Sequence, residues 1–238
     1  MDRTKSVVTP ARFASGMTFA EYVTYTATPE NLAREAGWWR GPLRKDLSGL
    51  LREWHECGKL SDAQRAAIRW LVAQPGGPAR ILVISEEWSS DCRRDVPMLA
   101  HLADAGGMEL RIFVRDGQKL GRGPRADPAD SPNADIVNEF LNHKDGQTWQ
   151  SVPVAVFYTE DFRYLHHYIE RPSIYHPKRL SDAMRAPRAG EAPDQTWERF
   201  MGEWRALQLT PFFPLWASAA IDEMLSALYE RIVLGAPA

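Results

Sequence analysis

The spacing of apolar residues divides this chain into helical flanks around a strand-bearing centre. Leu43, Leu47, Leu50, Leu51 and Trp54 fall at steps of four, three, one and three. That stripe predicts a helix with one buried face, ending near Gly58. Thr28-Pro29 pairs an N-cap residue with proline at the first helical position, which predicts a helix to Ala36 before Gly37. A further short helix is expected over 17–26. Ser61 with Gln64 forms a capping-box pattern, opening a helix that carries Ala67, Ile68, Leu71 and Val72 and stops at Pro75-Gly76-Gly77. Residues 1–16 lack such a period and read as a loose tail.

The pattern changes at residue 79. Ile81 to Ile84 form an unbroken apolar run, as in a buried parallel strand. Ser89 and Ser90 are good N-cap residues, and the following helix carries Val96, Leu99, Ala100 and Leu102, despite Pro97. Gly106-Gly107 ends it. A strand over 109–114 completes a βαβ unit, so the two strands should be parallel. After a loop rich in Gly, Pro, Asp and Arg, a helix is expected over 134–143, with Ile136, Val137, Phe140 and Leu141 on its apolar face. Strands over 152–158 and 162–169 form a hairpin about Glu160-Asp161. Helical spacing returns over 196–207 and 217–234.

Composition narrows the class. The chain has 238 residues, 44% of them hydrophobic and 25% charged, an ordinary globular balance. A net charge of −2 gives no global field for nucleic acid or an anionic membrane. Cys57 and Cys92 are too few for a secreted disulfide framework. No apolar signal-peptide core opens the chain, and the uncharged run over 206–221 is broken by Pro211 and Pro214. These features lead to the expectation of a cytoplasmic protein with no membrane or nucleic-acid partner.

Trp88-Ser89-Ser90-Asp91-Cys92, followed by Arg93, Arg94 and Pro97, resembles the active-site segment of thioredoxin-like proteins, which carry Trp-Cys-x-x-Cys and a proline inside the helix. Ser89 stands at the first cysteine position; only Cys92 keeps its sulfur. Ser151-Val152-Pro153 precedes a strand where that family has a cis-proline beside the active site. Asp91, Arg93, residues 110–113, Arg115-Asp116 and residues 140–142 also fit bacterial thioredoxin-like proteins with a helical N-terminal extension and a Trp-Cys-Gly-Asp-Cys-type motif. The resemblance covers residues 78–172. It implies an α/β class: a thioredoxin-like three-layer α/β/α sandwich with helical N- and C-terminal extensions. Its closing helix is expected near 178–186 or at 194–207. The corresponding divisions are a tail and helical extension over 1–77, a core over 78–190 and a C-terminal helical extension over 191–238.

The family's chemistry needs two sulfurs, one to attack a disulfide and one to resolve the mixed disulfide. A serine hydroxyl without an adjacent base is a far weaker nucleophile. Dithiol reduction should therefore be absent, although Ser89 and Cys92 hold the catalytic positions. Three readings follow. One is a degenerate thioredoxin-like protein that binds a protein or peptide in a groove at Trp88, Ser90, Asp91, Val152 and Pro153. The second is a single-cysteine exchange or redox-sensing protein using Cys92, whose thiol the helix start, Arg93 and Arg94 would acidify and Glu86, Glu87 and Asp91 would oppose. The third is an oxidoreductase in which Cys57 supplies the missing sulfur. Trp88 is either groove floor or core. His166 and His167 alternate on a strand and point to opposite faces, so no metal site is expected there. The loop over 117–125 matches no phosphate-binding fingerprint, and no cofactor is called for. Phe212, Phe213 and Trp216 read as the most exposed-looking apolar cluster, covering either the core or a partner surface, and the helical extensions as surfaces for self-association.

Overall fold

A computed structural model describes residues 6–36 and 44–236. Leu43 and Gly37 lie outside the described residues. The helices α1 (Pro10–Ala14), α2 (Phe19–Thr26), α3 (Pro29–Leu32), α4 (Ser48–Cys57) and α5 (Asp62–Val72) precede the sheet. Then come β1 (Arg80–Ser85), α6 (Ser90–Gly106), β2 (Glu109–Val114), α7 (Ala134–Glu139), β3 (Asn142–Lys144) and β4 (Gln147–Trp149). The chain closes with β5 (Val154–Tyr158), β6 (Tyr164–Ile169), α8 (Pro177–Arg185), α9 (Pro193–Gln208) and α10 (Phe212–Val233).

The central sheet has the order β2-β1-β5-β6. β1 runs parallel to β2 and antiparallel to β5, and β6 is antiparallel to β5. Ile84 faces Phe113 on one side and Val154 on the other, so β1 ends in the middle of the sheet with both neighbours in register. The apolar run of β1 is buried from Ile81 onward. α6 packs on β1 and β2 and is itself covered by α4, α5 and α10. That double cover explains why Arg93, Arg94 and Asp95 are buried beside Val96, Leu99 and Leu102. Gly107, at φ 64°, takes the left-handed cap that releases the chain into β2 at little cost. This is the mixed α/β architecture implied by the resemblance.

Several expectations are corrected. The loose tail holds a five-residue helix capped by Thr9, with Phe13 buried and Arg12 paired to Asp135. One inward phenylalanine is too little period to register in the sequence. Past α1, Met17 bridges Ile112 and covers part of the open edge of β2. The helix from Pro29 ends at Leu32, and Arg34 turns inward instead. The helix expected over 134–143 stops at Glu139 and gives way to the β3–β4 hairpin, turned by Asp145 and Gly146, both at positive φ. Neither α8 nor α9 closes the sheet. α10 does so, packing on β6, α5 and α6 with Ala220, Ile221, Met224 and Leu228 in the main core. Phe213 and Trp216 are not exposed: they form a smaller buried cluster with Tyr175, and only Phe212 of the three remains open.

Candidate functional site

Residues 86–89 lie between the end of β1 and the start of α6, and they carry two adjacent glutamates into a buried place. Glu86, Glu87 and Asp116 are almost without solvent exposure. A buried carboxylate is costly unless it is paired. Here Arg34 reaches Glu86 at 2.7 Å. Arg44 pairs with both Glu86 and Glu87, the latter at 2.9 Å. Arg115 holds Asp116 at 2.8 Å. Three guanidinium groups thus face three carboxylates. The Asp116 backbone N–H donates to Glu86 at 2.7 Å, and Asn31 donates to Glu87 at 3.3 Å. Burial, with Asp116 nearby, raises the Glu86 carboxyl to about 6 against the pull of both arginines. The N-terminal helices are thereby pinned to the turn that precedes α6.

That turn sets out the motif. The Ser89 hydroxyl caps α6 by accepting the Cys92 N–H at 3.4 Å. Trp88 is half-buried; its Nε1 donates to Asp116 at 3.0 Å, and the Arg115 guanidinium lies 5.1 Å from its ring centre. Cys92 turns the other way. It is buried in the main core, and its Sγ accepts the Glu86 N–H at 3.4 Å. Burial pushes its thiol up to about 12, outweighing the hydrogen bonds from Glu86, Ser85 and Ser89. The two arginines that could have acidified it are engaged elsewhere. Arg94 binds Asp95 through two 2.7 Å bonds and Asp91 at 2.8 Å. Arg93 donates to the carbonyls of Glu87 and Trp88 at 2.9 and 2.8 Å.

In front of Ser89 lies a cleft of about 870 Å³. Trp88, Ser89, Ser90, Asp91 and Val152 line it, so five of the seven residues singled out in the sequence share one surface. Cys92 and Pro153 are not among its lining residues. The Val152–Pro153 peptide bond is cis, and β5 begins just after it. Val152 itself enters no hydrogen bond among the described residues. The walls come from elements that no sequence signal ties to the motif. The loop over 120–123 forms one, pinned by the Leu120 N–H to Glu35 at 2.9 Å and the Gly121 N–H to Asp116 at 3.0 Å. Trp149 of β4 and the α8–α9 pair, with Arg185, Trp197, Phe200 and Trp204, form the others.

A second group, unforeseen in the sequence, sits further along α6. His55 of α4 stacks on His101 with ring centres 4.1 Å apart, and Asp104 brings its carboxylate within 4.8 Å of their ring nitrogens. Burial, then His101, lowers the His55 pKa. Two imidazoles and a carboxylate are metal-type donors, but the rings lie 9° from parallel, which aims their lone pairs side by side rather than at one point.

Cys57 is exposed and Cys92 buried, and both are free thiols. Gly58, next to Cys57, sits against Met98 and His101 of α6. Met98 is six residues beyond Cys92, about 9 Å along a helix. A disulfide spans Cα atoms only up to about 7 Å apart.

The sequence profile of a family described as thioredoxin matches residues 45–120, from just before α4 to the loop after β2. No curated protein matches the chain. Two solved structures are similar in outline. One is a protein of unknown function from Pseudomonas aeruginosa, at 17% identity and TM-score 0.49, covering 93% of this chain and 98% of that one. The other is an HIV epitope scaffold, at 17% identity and TM-score 0.48, covering 97% of this chain and all of the scaffold. The profile match spans the strand–helix–strand unit that carries Ser89 and Cys92, and with the mixed sheet and its helices it identifies a thioredoxin-like domain in this chain.

Proposed function

We propose that this protein binds a protein or peptide segment in the cleft between Trp88 and Val152 and carries out no dithiol exchange. One observation carries the reading: the position that offers a nucleophile to the cleft is Ser89, while the remaining sulfur, Cys92, is buried with its thiol raised to about 12. At neutral pH such a thiol is almost wholly protonated, and the protonated form neither attacks disulfides nor oxidises readily. The single-cysteine reading is weakened by that burial. The pairing of Cys57 with Cys92 is weakened by the exposure of the one thiol and the burial of the other, both of them free. Peptide capture is supported by Val152, which lines the cleft ahead of β5 without hydrogen-bond partners among the described residues and can offer its backbone to an extended chain. No helix among the described residues is long and apolar enough to cross a membrane.

The test combines turnover with thiol counting. Insulin reduction by dithiothreitol should proceed at the reagent's own rate with or without the protein. A chromogenic thiol reagent should titrate one thiol per native chain, Cys57, and two after unfolding in guanidinium. Turnover above the reagent rate that disappears in Cys92→Ser would overturn the proposal.

A further inference from the structure

The cleft contains a buried arginine that enters no ion pair among the described residues. Arg93 is 4% exposed and lines the cleft floor at the first turn of α6. Among the described residues its guanidinium donates only to neutral acceptors: the carbonyls of Glu87 and Trp88, and Gln208 Oε1 at 2.8 Å. Its Nε is buried with no partner. Among the described residues it enters no salt bridge, whereas its neighbour Arg94 holds two carboxylates. A desolvated cation without a counter-ion is expensive, and an anion supplied from outside would offset that cost. Unpaired N–H groups at a helix start favour negative charge at the same place.

The rest of the lining agrees in sign. Six basic side chains border the cleft (Arg93, Arg115, Arg122, Arg171, Lys178 and Arg185) against Asp91, Glu170 and Asp182. Each of those acids already has a cation: Arg94 for Asp91, Arg171 for Glu170 and Lys178 for Asp182. Arg115 and Arg122 are matched by Asp116 and Glu35. Among the described residues Arg93 and Arg185 enter no ion pair, the latter lying 4.4 Å from the Phe200 ring centre. Four tryptophans share these walls, Trp88, Trp149, Trp197 and Trp204, and Trp149 is 52% exposed.

We infer that the cleft takes an acidic peptide segment, with one carboxylate drawn to Arg93 at the start of α6 and the neighbouring residues laid against the tryptophan walls. This rests on the peptide-binding reading above and adds the sign of the partner's charge. The protein as a whole carries a net charge of −2, so capture of an acidic chain requires the local cleft and not the global field.

The test uses three synthetic peptides of equal length built around one Trp-free apolar core and flanked by Glu, Ser or Lys, titrated by calorimetry and by quenching of the protein's tryptophan fluorescence. The Glu peptide should bind, and should weaken several-fold as salt rises from about 50 to about 300 mM. Arg93→Met should weaken it about tenfold or more. Arg93 is buried and its loss can disturb folding, so Arg185→Glu, on the exposed side of α8, is measured alongside. That variant should weaken the Glu peptide and leave the thermal midpoint unchanged. Equal binding of the Glu and Ser peptides, or preference for the Lys peptide, would overturn the charge assignment while keeping peptide capture. Binding of none of the three would overturn both. Glu-peptide binding indifferent to Arg93→Met and Arg185→Glu would place the acidic segment elsewhere and overturn the inference.

Discussion

Replacing Arg34 with methionine tests the ion network directly. Arg34 is 2% exposed and makes five hydrogen bonds: to Glu86 at 2.7 Å, the Asp116 carbonyl at 2.6 Å, the Gly117 carbonyl at 2.9 Å, Asn31 at 2.9 Å and the Tyr25 hydroxyl at 3.3 Å. Methionine fills much of the volume and supplies none of them. Three buried carboxylates would then face two guanidinium groups. Removing one member of a buried pair costs about 3–5 kcal/mol, because the partner charge stays behind. In a chain of this size that corresponds to a fall of about 10 °C in Tm. The loss should also depend on pH with a definite sign. The folded-state pKa of Glu86 already stands at about 6, above its ordinary value of 4.5, because burial dominates. With Arg34 gone an opposing cation is gone, and the carboxyl rises further. A raised folded pKa contributes stability at low pH that is lost as pH rises through it. The variant should therefore lie closer to the parent protein at pH 5 than at pH 8. Urea melts followed by circular dichroism at both pH values measure this. A loss below about 1 kcal/mol, or a deficit that widens on acidification, would refute the claim that Arg34 serves as a counter-charge.

Two further substitutions probe the frame around the cleft. At Gly117 a Cβ would fall 1.5 Å from the Asp130 carbonyl oxygen, which only backbone movement can relieve, so Gly117→Ala should cost about 2 kcal/mol or more in denaturant melts and loosen the loop that walls the cleft. Met224→Ala removes a fully buried side chain of α10 and should cost about 2–5 kcal/mol; a loss under 1 kcal/mol would mean that α10 is a detachable appendage rather than the closing helix.

Legibility in this sequence follows the range of the interaction concerned. The strands over 80–85 and 109–114 and the helix between them emerge at the expected residues, because an apolar run, a serine cap and a Gly-Gly stop are all local signals. The β3–β4 hairpin has a local signal too, Asp145-Gly146, but its strands are three residues long and carry no alternation to anchor it. Long-range charge pairing leaves no such trace. Glu86 and Glu87 read as neighbours that would raise the Cys92 pKa, whereas arginines 42 to 52 residues earlier in the chain neutralise them. Arg34 and Arg44 look like ordinary solvated residues until the fold buries them. The cleft behaves in the same way. Its floor, Trp88 to Asp91, stands out as a motif, but its walls come from α8, α9 and the 147–151 region, which only packing brings there.

Serine at the head of the motif keeps the shape of a helix start, and under the proposed function it does so without dithiol chemistry. A helix start needs an acceptor for its first N–H groups, and serine is among the best caps, worth about 1 kcal/mol over alanine. The Ser89 hydroxyl meets that need through the Cys92 N–H without carrying charge. A thiolate at the same point would draw on the helix dipole and on nearby arginines to stay ionised. Here that positive charge is otherwise distributed: Arg94 is held by Asp91 and Asp95, and Arg93 secures the turn through two carbonyls and enters no ion pair among the described residues. On the proposed reading, oxygen in place of sulfur keeps α6, the turn at 86–89 and the cleft mouth without a thiolate whose negative charge would compete with an incoming anion. On the proposed reading, the serine that argues against disulfide exchange also suits an acidic partner, so the two proposals meet at the same hydroxyl.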